Sequence, residues 1–328
     1  MVDKKATVNN ISIGFSRFNK NYFIFYVLIG VGFVFSILSP NFLKITNVMT
    51  IFRQASIIAV VAAGQFFVLT GGDFDLSVGS AVSLSGVTFA GAMVFYGVAP
   101  PIAFLLALAV GLTIGAINGF LVTKIGLPSF IATMATMMSC QGLSNLLTKA
   151  APIVRLPDSI GWIGRGVIGD IRGFNVPYMT IIMVIVYICT FIITEKTNFG
   201  RYVFAMGGNP EAAYLSGIDT KKYKISTFLI SGGIAALASV MLVSRLAAAD
   251  PASGSGYEFE SITACVIGGT AIKGGKGKIF GVLLGALFLS TLFNGMTLTN
   301  VNTFIQQILK GVVLAVAVGA DVVKNRKK

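Results

Sequence analysis

The sequence predicts an all-α polytopic membrane protein, and three observations support this prediction. Of the 328 residues, 55% are hydrophobic and only 11% are charged, whereas a soluble globular protein carries about 25% charged residues. The apolar residues are gathered in long runs that lack the strict alternation of a barrel strand. Glycine is frequent, with 38 residues, as in helices that pack closely within a membrane.

Nine apolar runs approach or reach the length of a membrane-crossing helix, which needs about 20 residues. The first run, 21–39, follows a mostly polar segment, 1–20, that is longer than the charged region of a secretory signal and lacks a small-residue cleavage site. We therefore expect this run to be retained as a membrane helix. The other runs are 54–70, 76–98, 101–123, 127–148, 177–194, 226–249, 279–299 and 303–320.

A further membrane element is predicted from the distribution of Lys and Arg. Basic residues cluster before the first run, in the loop 195–224 and in the tail 324–328, and the positive-inside rule places all three groups in the cytoplasm. An even number of elements must then separate the loop from the tail, but only three clear runs lie there. The short apolar stretch 259–272 supplies the missing element, as a broken or partly re-entrant helix.

This assignment gives about ten membrane elements, including broken or short helices, with the N- and C-termini cytoplasmic. It places 17 of the 25 Lys and Arg residues inside. Nine spans with an external C-terminus is the alternative, and the basic tail argues against it. The predicted organisation is a single membrane domain, 21–323, between the cytoplasmic segment 1–20 and the cytoplasmic tail. The segment 149–176 would lie outside, as a cap over helix ends or a docking surface for an external partner.

Composition excludes several classes of function. The chain has no histidine, which removes Ser-His-Asp triads, histidine acid–base catalysis and most zinc sites. The stretch "TAIKGGKGKIF" fails the phosphate-loop pattern, because Ile272 replaces its first glycine and Ile279 replaces its Ser or Thr. The net charge of +13 is explained by membrane topology rather than by nucleic-acid binding. We therefore expect no enzyme activity, bound cofactor, metal or nucleic-acid partner in this chain.

The stretch "TGGDFDLSVGS" places two carboxylates between apolar runs. Gly71 and Gly72 are predicted to break the chain, and Asp75, or less favourably Asp73, can cap the helix that follows. A gating role beside a translocation path is the alternative for these residues. Three serines follow at every third position and predict either a polar face or small-residue packing. They are Ser77, Ser80 and Ser83.

The same two aspartates also fit two other functions. Asp73 and Asp75 have the D-x-D form with which some glycosyltransferases hold a metal-bound nucleotide sugar, although no companion acidic cluster accompanies them. Two intramembrane carboxylates would also serve a secondary transporter coupled to protons or Na⁺. Neither function accounts for the next feature of the chain.

The loop 195–224 contains "NPEAAYLSG", which encodes a complete short helix over 210–216. Asn209 suits the N-cap, Pro210 suits the first helical position, and Glu211 complements the positive end of the helix. Ala212 and Ala213 follow in the body of the helix, and Gly217 suits the left-handed position after its end. A helix of two turns is marginal alone in water. Because its apolar stripe is weak, a groove in a protein partner suits it better than a membrane surface does.

Four motifs together resemble one family. "GGDFDLSVGS", "AINGFLVTKIGLPSFIATMATM", "GGNPEAAYLSGI" and "VIGGTAIKGGKGKIFGVLLGA" occur in the order and spacing found in permease subunits of bacterial ABC importers of the ribose/xylose/galactose type. The resemblance covers residues 20–320. Phe74 stands where the family often has isoleucine.

The resemblance implies a permease of the bacterial inner membrane that forms a dimer with a second permease copy or a paralogue. A separate cytoplasmic ATP-binding subunit would drive it, and an external sugar-binding protein would deliver a monosaccharide such as ribose, xylose or galactose. The helix 210–216 would dock on the ATP-binding subunit. Gly71, Gly72, Asp73, Asp75 and the three serines would be candidates for translocation or gating. The glycines predicted to break the short element are Gly268, Gly269, Gly274 and Gly275.

Overall fold

A computed structural model describes residues 23–171 and 174–326. Thirteen α-helices dominate this part of the chain, so the predicted all-α polytopic membrane fold is confirmed. The predicted cytoplasmic segment 1–20 and the last two residues of the basic tail lie outside the described residues.

The helices follow one another with short connections. They are α1 (Phe23–Leu38), α2 (Ile45–Thr70), α3 (Val78–Tyr96), α4 (Pro100–Phe120), α5 (Ser129–Thr148), α6 (Gly161–Arg165), α7 (Tyr178–Phe191), α8 (Asn198–Gly208), α9 (Pro210–Leu215), α10 (Thr220–Leu246), α11 (Tyr257–Ile267), α12 (Ile279–Leu298) and α13 (Thr303–Arg326). Single π-helical segments, Leu121–Ile125 and Ile192–Lys196, extend α4 and α7. A 3₁₀ turn, Asp158–Ile160, precedes α6, and a hairpin of β1 (Val167–Ile171) and β2 (Phe174–Pro177) follows it.

Seven helices within the described residues are long and apolar enough to cross a membrane. They are α2, α3, α4 with its extension, α7 with its extension, α10, α12 and α13. α1 is apolar but shorter, and α5 has 20 residues but a more polar sequence. The number of crossings and the orientation of the termini stay predictions.

Helix α2 is the centre of the fold. Every residue from Ala55 to Thr70 is buried, and a helix that is apolar all round belongs in such a core. The helix starts nine residues before the predicted run at 54–70, because its polar residues find partners within the fold. Asn47, for example, donates from Nδ2 to Oδ1 of Asn294 on α12 at 3.0 Å.

Small residues bring the helices around α2 close together. A Cβ added to Gly111 on α4 would lie 2.2 Å from the carbonyl oxygen of Gly232 on α10. α11 and α12 run antiparallel and touch in the same way. A Cβ on Gly268 would lie 2.5 Å from Gly281, and one on Gly285 would lie 2.2 Å from the carbonyl oxygen of Ala264. Such backbone contact is typical of membrane helix packing.

Helix α13 lies at the edge of the molecule and packs mainly against α11. None of its apolar window is buried. Large apolar side chains such as Phe304, Ile308 and Val316 are exposed on it. α2 and α13 are thus opposite extremes of burial among the long helices.

The predicted external segment 149–176 packs over the end of α10. Ile153 and Ala249 exchange two backbone hydrogen bonds of 2.9 Å, and the amide of Gly164 donates to the hydroxyl of Ser244 at 2.8 Å. The segment therefore forms a cap over the helix end, which was one of the two predicted alternatives. Trp162 on α6 is exposed, and an additional docking role stays a prediction.

Candidate functional site

The chain breaks between α2 and α3. α2 ends at Thr70 and Gly71 follows as its C-cap. Gly72 adopts the left-handed conformation, with φ of +86°, and the amide of Asp73 returns to the carbonyl oxygen of Val68 at 3.1 Å. This glycine-dependent turn redirects the chain into the interior, where α3 begins at Val78.

Asp75 stabilises the turn that leads into α3. Its carboxylate is buried, and its Oδ1 accepts from the amide of Ser77 at 2.9 Å and from the Ser77 hydroxyl at 2.6 Å. Oδ2 accepts from the hydroxyl of Ser231 on α10 at 2.8 Å. Asn118 on α4 donates to the Ser77 hydroxyl at 2.7 Å. Ser77, and not Asp75, occupies the cap position of α3, so the prediction that Asp75 caps this helix is wrong. Asp75 instead stabilises the turn before the cap and joins α3 to α4 and α10.

Asp73 has a different partner. Its Oδ2 lies 2.9 Å from Nζ of Lys224, and the two side chains are 8% and 25% exposed. Lys224 lies near the start of α10, so this ion pair ties the break to the end of the loop 195–224. Asp73 therefore does not cap α3, which corrects the less favoured of the two capping predictions. Lys224 and Ser231 lie about two turns apart on α10, so each of the two carboxylates is held by its own protein partner.

The serines that follow Asp75 are buried. The Ser80 hydroxyl donates to the carbonyl oxygen of Ser77 at 2.9 Å. The Ser83 hydroxyl accepts from the amide of Gly254 at 2.9 Å. Ser77 and Ser83 make contacts between elements, with Asn118 on α4 and with Gly254, which agrees with the second of the two predicted alternatives. A role in translocation stays a prediction.

A second break precedes α11. The segment 247–256 is irregular, and α11 begins only at Tyr257. Glu258 is buried in its first turn and accepts from the amide of Gly256 at 3.1 Å. A Cβ added to Gly254 would lie 2.0 Å from the carbonyl oxygen of Gly79. The starts of α3 and α11 therefore meet inside the protein, and the short element predicted at 259–272 is a half-length helix over 257–267.

Four glycines join the first break, and the loop between α11 and α12, to the loop 195–224. We call Gly72, Gly207, Gly274 and Gly275 the glycine junction. The amide of Gly275 donates to the carbonyl oxygen of Thr70 at 2.9 Å. A Cβ on Gly207 would lie 1.8 Å from that same oxygen, and one on Gly274 would lie 2.7 Å from Cα of Gly72. Only glycine permits such backbone contact.

The predicted break glycines lie around this junction. α11 ends at Ile267, Gly268 is its C-cap, and Gly269 is left-handed with φ of +89°. Gly274 and Gly275 follow in the loop before α12. Gly207 was not predicted as part of this site, although the "GG" that precedes "NPEAAYLSG" was the signal for it.

The predicted short helix is α9, Pro210–Leu215, one residue shorter than the pattern indicated. Asn209 caps it, since its Oδ1 accepts from the amide of Ala212 at 3.0 Å. Gly217 follows its end with φ of +82°. Ala213 is buried against α8, whereas Tyr214 and Leu215 are 67% and 78% exposed. Glu211 is exposed in the first turn.

Helix α8 was not predicted. It has a side-chain cap, because the hydroxyl of Thr197 accepts from the amide of Gly200. Val203 and Met206 on α8 are buried with Ala213 of α9. α8 therefore connects α9 to the glycine junction at its own last turn, and the three features form one continuous contact path.

Comparisons with known proteins place the chain among transport permeases. Residues 47–318 match the family model described as "Branched-chain amino acid transport system / permease component". The chain is 40% identical over 299 residues to the ribose import permease protein RbsC of Escherichia coli K12, which covers 90% of both chains.

Two further relatives come from the same organism. The D-allose transport system permease protein AlsC is 36% identical, over 94% of this chain and 93% of its own. The probable ABC transporter permease protein YphD is 34% identical, over 90% of this chain and 87% of its own. A comparison with the solved structures found no match.

Proposed function

We infer that this chain, which belongs to the family of transport-system permease components, is the membrane subunit of an ATP-driven monosaccharide importer. The observation that carries the inference is the 40% identity to a ribose import permease over 90% of both chains. The similarity to a D-allose permease and to a probable ABC transporter permease supports the same class. The substrate is a neutral pentose or hexose of the ribose type.

Two partners are part of this proposal. A cytoplasmic ATP-binding subunit supplies the energy, and α9 docks on it through the exposed side chains of Tyr214 and Leu215. A separate sugar-binding protein delivers the substrate on the outer face of the bacterial inner membrane. The cap formed by 149–176, with its exposed Trp162, is the surface on which that protein would dock.

A second permease copy, or a paralogue, completes the transporter. The exposed face of α13 supports this part of the proposal, because apolar side chains such as Ile308 and Val316 have no partner layer from the described chain over them. The sugar passes between the two permeases.

The contacts of the candidate site suggest how ATP hydrolysis moves the permease. A displacement of α9 passes to α8 through the cluster around Ala213. α8 ends at the glycine junction, which touches the first break and the loop between α11 and α12. The ion pair of Lys224 and Asp73 offers a second connection from the same loop to the first break. The first break and the loop between α11 and α12 then shift together relative to α2.

Purification and uptake test this function. The chain is expressed with the genes of its native operon, and the purified complex is reconstituted in vesicles with its sugar-binding protein. We expect an ATP-binding subunit to copurify, and uptake of labelled D-ribose, D-allose or D-xylose to require ATP. If no ATPase copurifies, and a proton or Na⁺ gradient alone drives uptake, the chain is a secondary transporter and the proposal is wrong.

A further inference from the structure

We propose that α11 and α13 form a water-accessible contact site for the transported sugar at mid-membrane depth, centred on the ion pair of Glu260 and Lys310. The proposal rests on the function proposed above and deepens it by assigning a place in the pathway. The buried breaks described above do not include this pair.

The ion pair joins three helices. Nζ of Lys310 on α13 donates to Oε1 of Glu260 on α11. The same ammonium lies 5.0 Å from the ring centroid of Phe293 on α12. The Glu260 side chain is 13% exposed, but that of Lys310 is 43% exposed. The pair is therefore open to whatever lies against the outer face of α11 and α13.

The pair lies near the middle of the helices that surround it. α11 and α12 are antiparallel, and Ala264 lies against Gly285. Glu260 lies one turn before Ala264, so it lies at the level of Leu289 on α12. Leu289 is at the midpoint of α12, which spans 20 residues.

A charge pair at this depth does not belong against lipid. A single charged side chain at the centre of a membrane helix costs about 2.5–3.5 kcal/mol even on the mildest scales, and such residues face bundle interiors or water-filled cavities. Lys310 also lies about two turns inside α13, and its ammonium donates to Glu260. The face that exposes Lys310 therefore borders water.

Polar residues lead from the end of α13 to the pair. Thr303 and Gln307 are exposed and precede Lys310 at spacings that place all three on one face. The ten residues that follow Lys310, "GVVLAVAVGA", carry no polar side chain. The polar track thus begins at the predicted outer end of the helix and stops at the ion pair, as expected for a vestibule open to the outside.

The chemistry of the pair selects a neutral polyhydroxylated ligand. The carboxylate accepts hydrogen bonds from hydroxyl groups and the ammonium donates to them. The Phe293 ring offers an apolar surface to the C–H face of a sugar. Because the pair carries no net charge, it offers strong donors and acceptors without favouring an anion or a cation. A monosaccharide fits this site, and an acidic or phosphorylated sugar does not.

Cysteine labelling tests the vestibule independently of transport. The full complex in proteoliposomes carries Gln307→Cys or Ile308→Cys and is treated with a charged, membrane-impermeant maleimide, with the unsubstituted chain as background. Ile308 is the matched control, because it is exposed on the neighbouring face. We expect Gln307→Cys to react about tenfold faster or more, since the thiolate, which water stabilises, is the nucleophile that attacks the maleimide. Equal rates would overturn the vestibule.

Uptake kinetics test the contact with sugar. Glu260→Gln and Lys310→Gln should each raise the apparent KM for D-ribose about tenfold, as loss of a hydrogen bond to a charged group predicts. The variant that exchanges the two residues, Glu260→Lys with Lys310→Glu, should recover assembly with the ATP-binding subunit but keep a raised KM. Full recovery of KM by the exchange would show a purely structural ion pair and overturn the proposal.

The two experiments separate this proposal from the function on which it rests. If the wild-type complex imports no monosaccharide, the assignment of a sugar ligand fails together with the proposed function. Faster labelling of Gln307→Cys than of Ile308→Cys would still establish the water-filled face. If the wild type imports D-ribose and Gln307→Cys resists the maleimide, the proposed function stands and the contact site is wrong.

Discussion

Nζ of Lys224 lies 2.9 Å from Oδ2 of Asp73, and this ion pair joins the start of α10 to the break between α2 and α3. The two residues are separated by 151 positions in the sequence. Lys224 also ends the loop that carries α9. The pair therefore links the loop 195–224 directly to a turn that leads into the protein interior.

We expect Asp73→Asn to lower ATP-driven uptake while the chain still assembles. Removing one partner of a fully buried pair costs about 3–5 kcal/mol. Lys224 is 25% exposed and water can solvate its ammonium in part, so we expect a loss of about 1–3 kcal/mol in stability. Uptake in proteoliposomes and the midpoint of heat-induced aggregation in detergent measure the two effects.

The control for this pair is Lys222→Gln. Lys222 is exposed two residues before Lys224, and its substitution should change neither uptake nor stability. The exchanged variant, Asp73→Lys with Lys224→Asp, should recover part of the uptake. Full uptake by Asp73→Asn alone would remove any gating role for the charge of Asp73.

The glycine junction predicts opposite effects for two adjacent substitutions. A Cβ on Gly207 would lie 1.8 Å from the carbonyl oxygen of Thr70, whereas the nearest atom to a Cβ on Gly208 is 3.9 Å away. Gly207→Ala should therefore cost about 1–3 kcal/mol or more, as overpacking does. Gly208→Ala should be neutral or stabilise by about 0.5–1 kcal/mol, because alanine is the better helix former.

Thermal stability in detergent and ATP-driven uptake distinguish the two alanine variants. We expect Gly207→Ala to lower both, since the junction must separate to admit the methyl group. Equal behaviour of Gly207→Ala and Gly208→Ala would mean that the close contact of α8 with the end of α2 does not form in the membrane.

We predict that substitutions of Asp75 lower the stability of the protein because they remove its hydrogen bonds, not because they remove its negative charge. Its carboxylate accepts three hydrogen bonds from Ser77 and Ser231. Asp75→Ala leaves these buried donors unpaired, at about 1–3 kcal/mol for each group that stays unsatisfied. Asp75→Asn keeps an acceptor and a similar shape, so it should cost less. Melting midpoints of the two purified variants give the order.

The matched control for Asp75 is Asp250→Ala. Asp250 forms the same kind of turn, since its Oδ1 accepts from the amide of Ala252 at 2.7 Å, but it is exposed. Water can replace that acceptor, so the control should cost less than about 1 kcal/mol. A larger loss from Asp75→Asn than from Asp75→Ala would contradict this account.

Local signals in the sequence predicted much of the fold. Long apolar runs identified the spanning helices, and the cap, proline and final glycine of α9 fixed its bounds to within one residue. Gly71 and Gly72 marked the first break, and the left-handed turn there depends on Gly72. These features depend on neighbouring residues, so the sequence pattern contains them.

Features that depend on distant partners could not be predicted. The sequence predicts a polar loop for the first residues of α2. Their helical structure depends on distant partners, such as Asn294 for Asn47, which neighbouring residues do not indicate. In the sequence, Lys310 is an isolated charge inside the last predicted span, and its ion pair with Glu260 becomes visible only in the structure. The sequence does not distinguish Gly207 from the other glycines, because its close contact with Thr70 forms only in the folded structure.

The exposed tip of α9 gives the last prediction. Tyr214 and Leu215 are 67% and 78% exposed, so replacing either by serine removes little burial and should leave the melting midpoint of the permease unchanged. If these side chains fill a groove of the ATP-binding subunit, each loss should weaken the complex about tenfold or more, as for buried apolar anchors. Lys221→Ser, at an exposed position in the same loop, is the control. Copurification of the ATP-binding subunit measures the effect, and undiminished recovery with both substitutions combined would place the docking surface elsewhere.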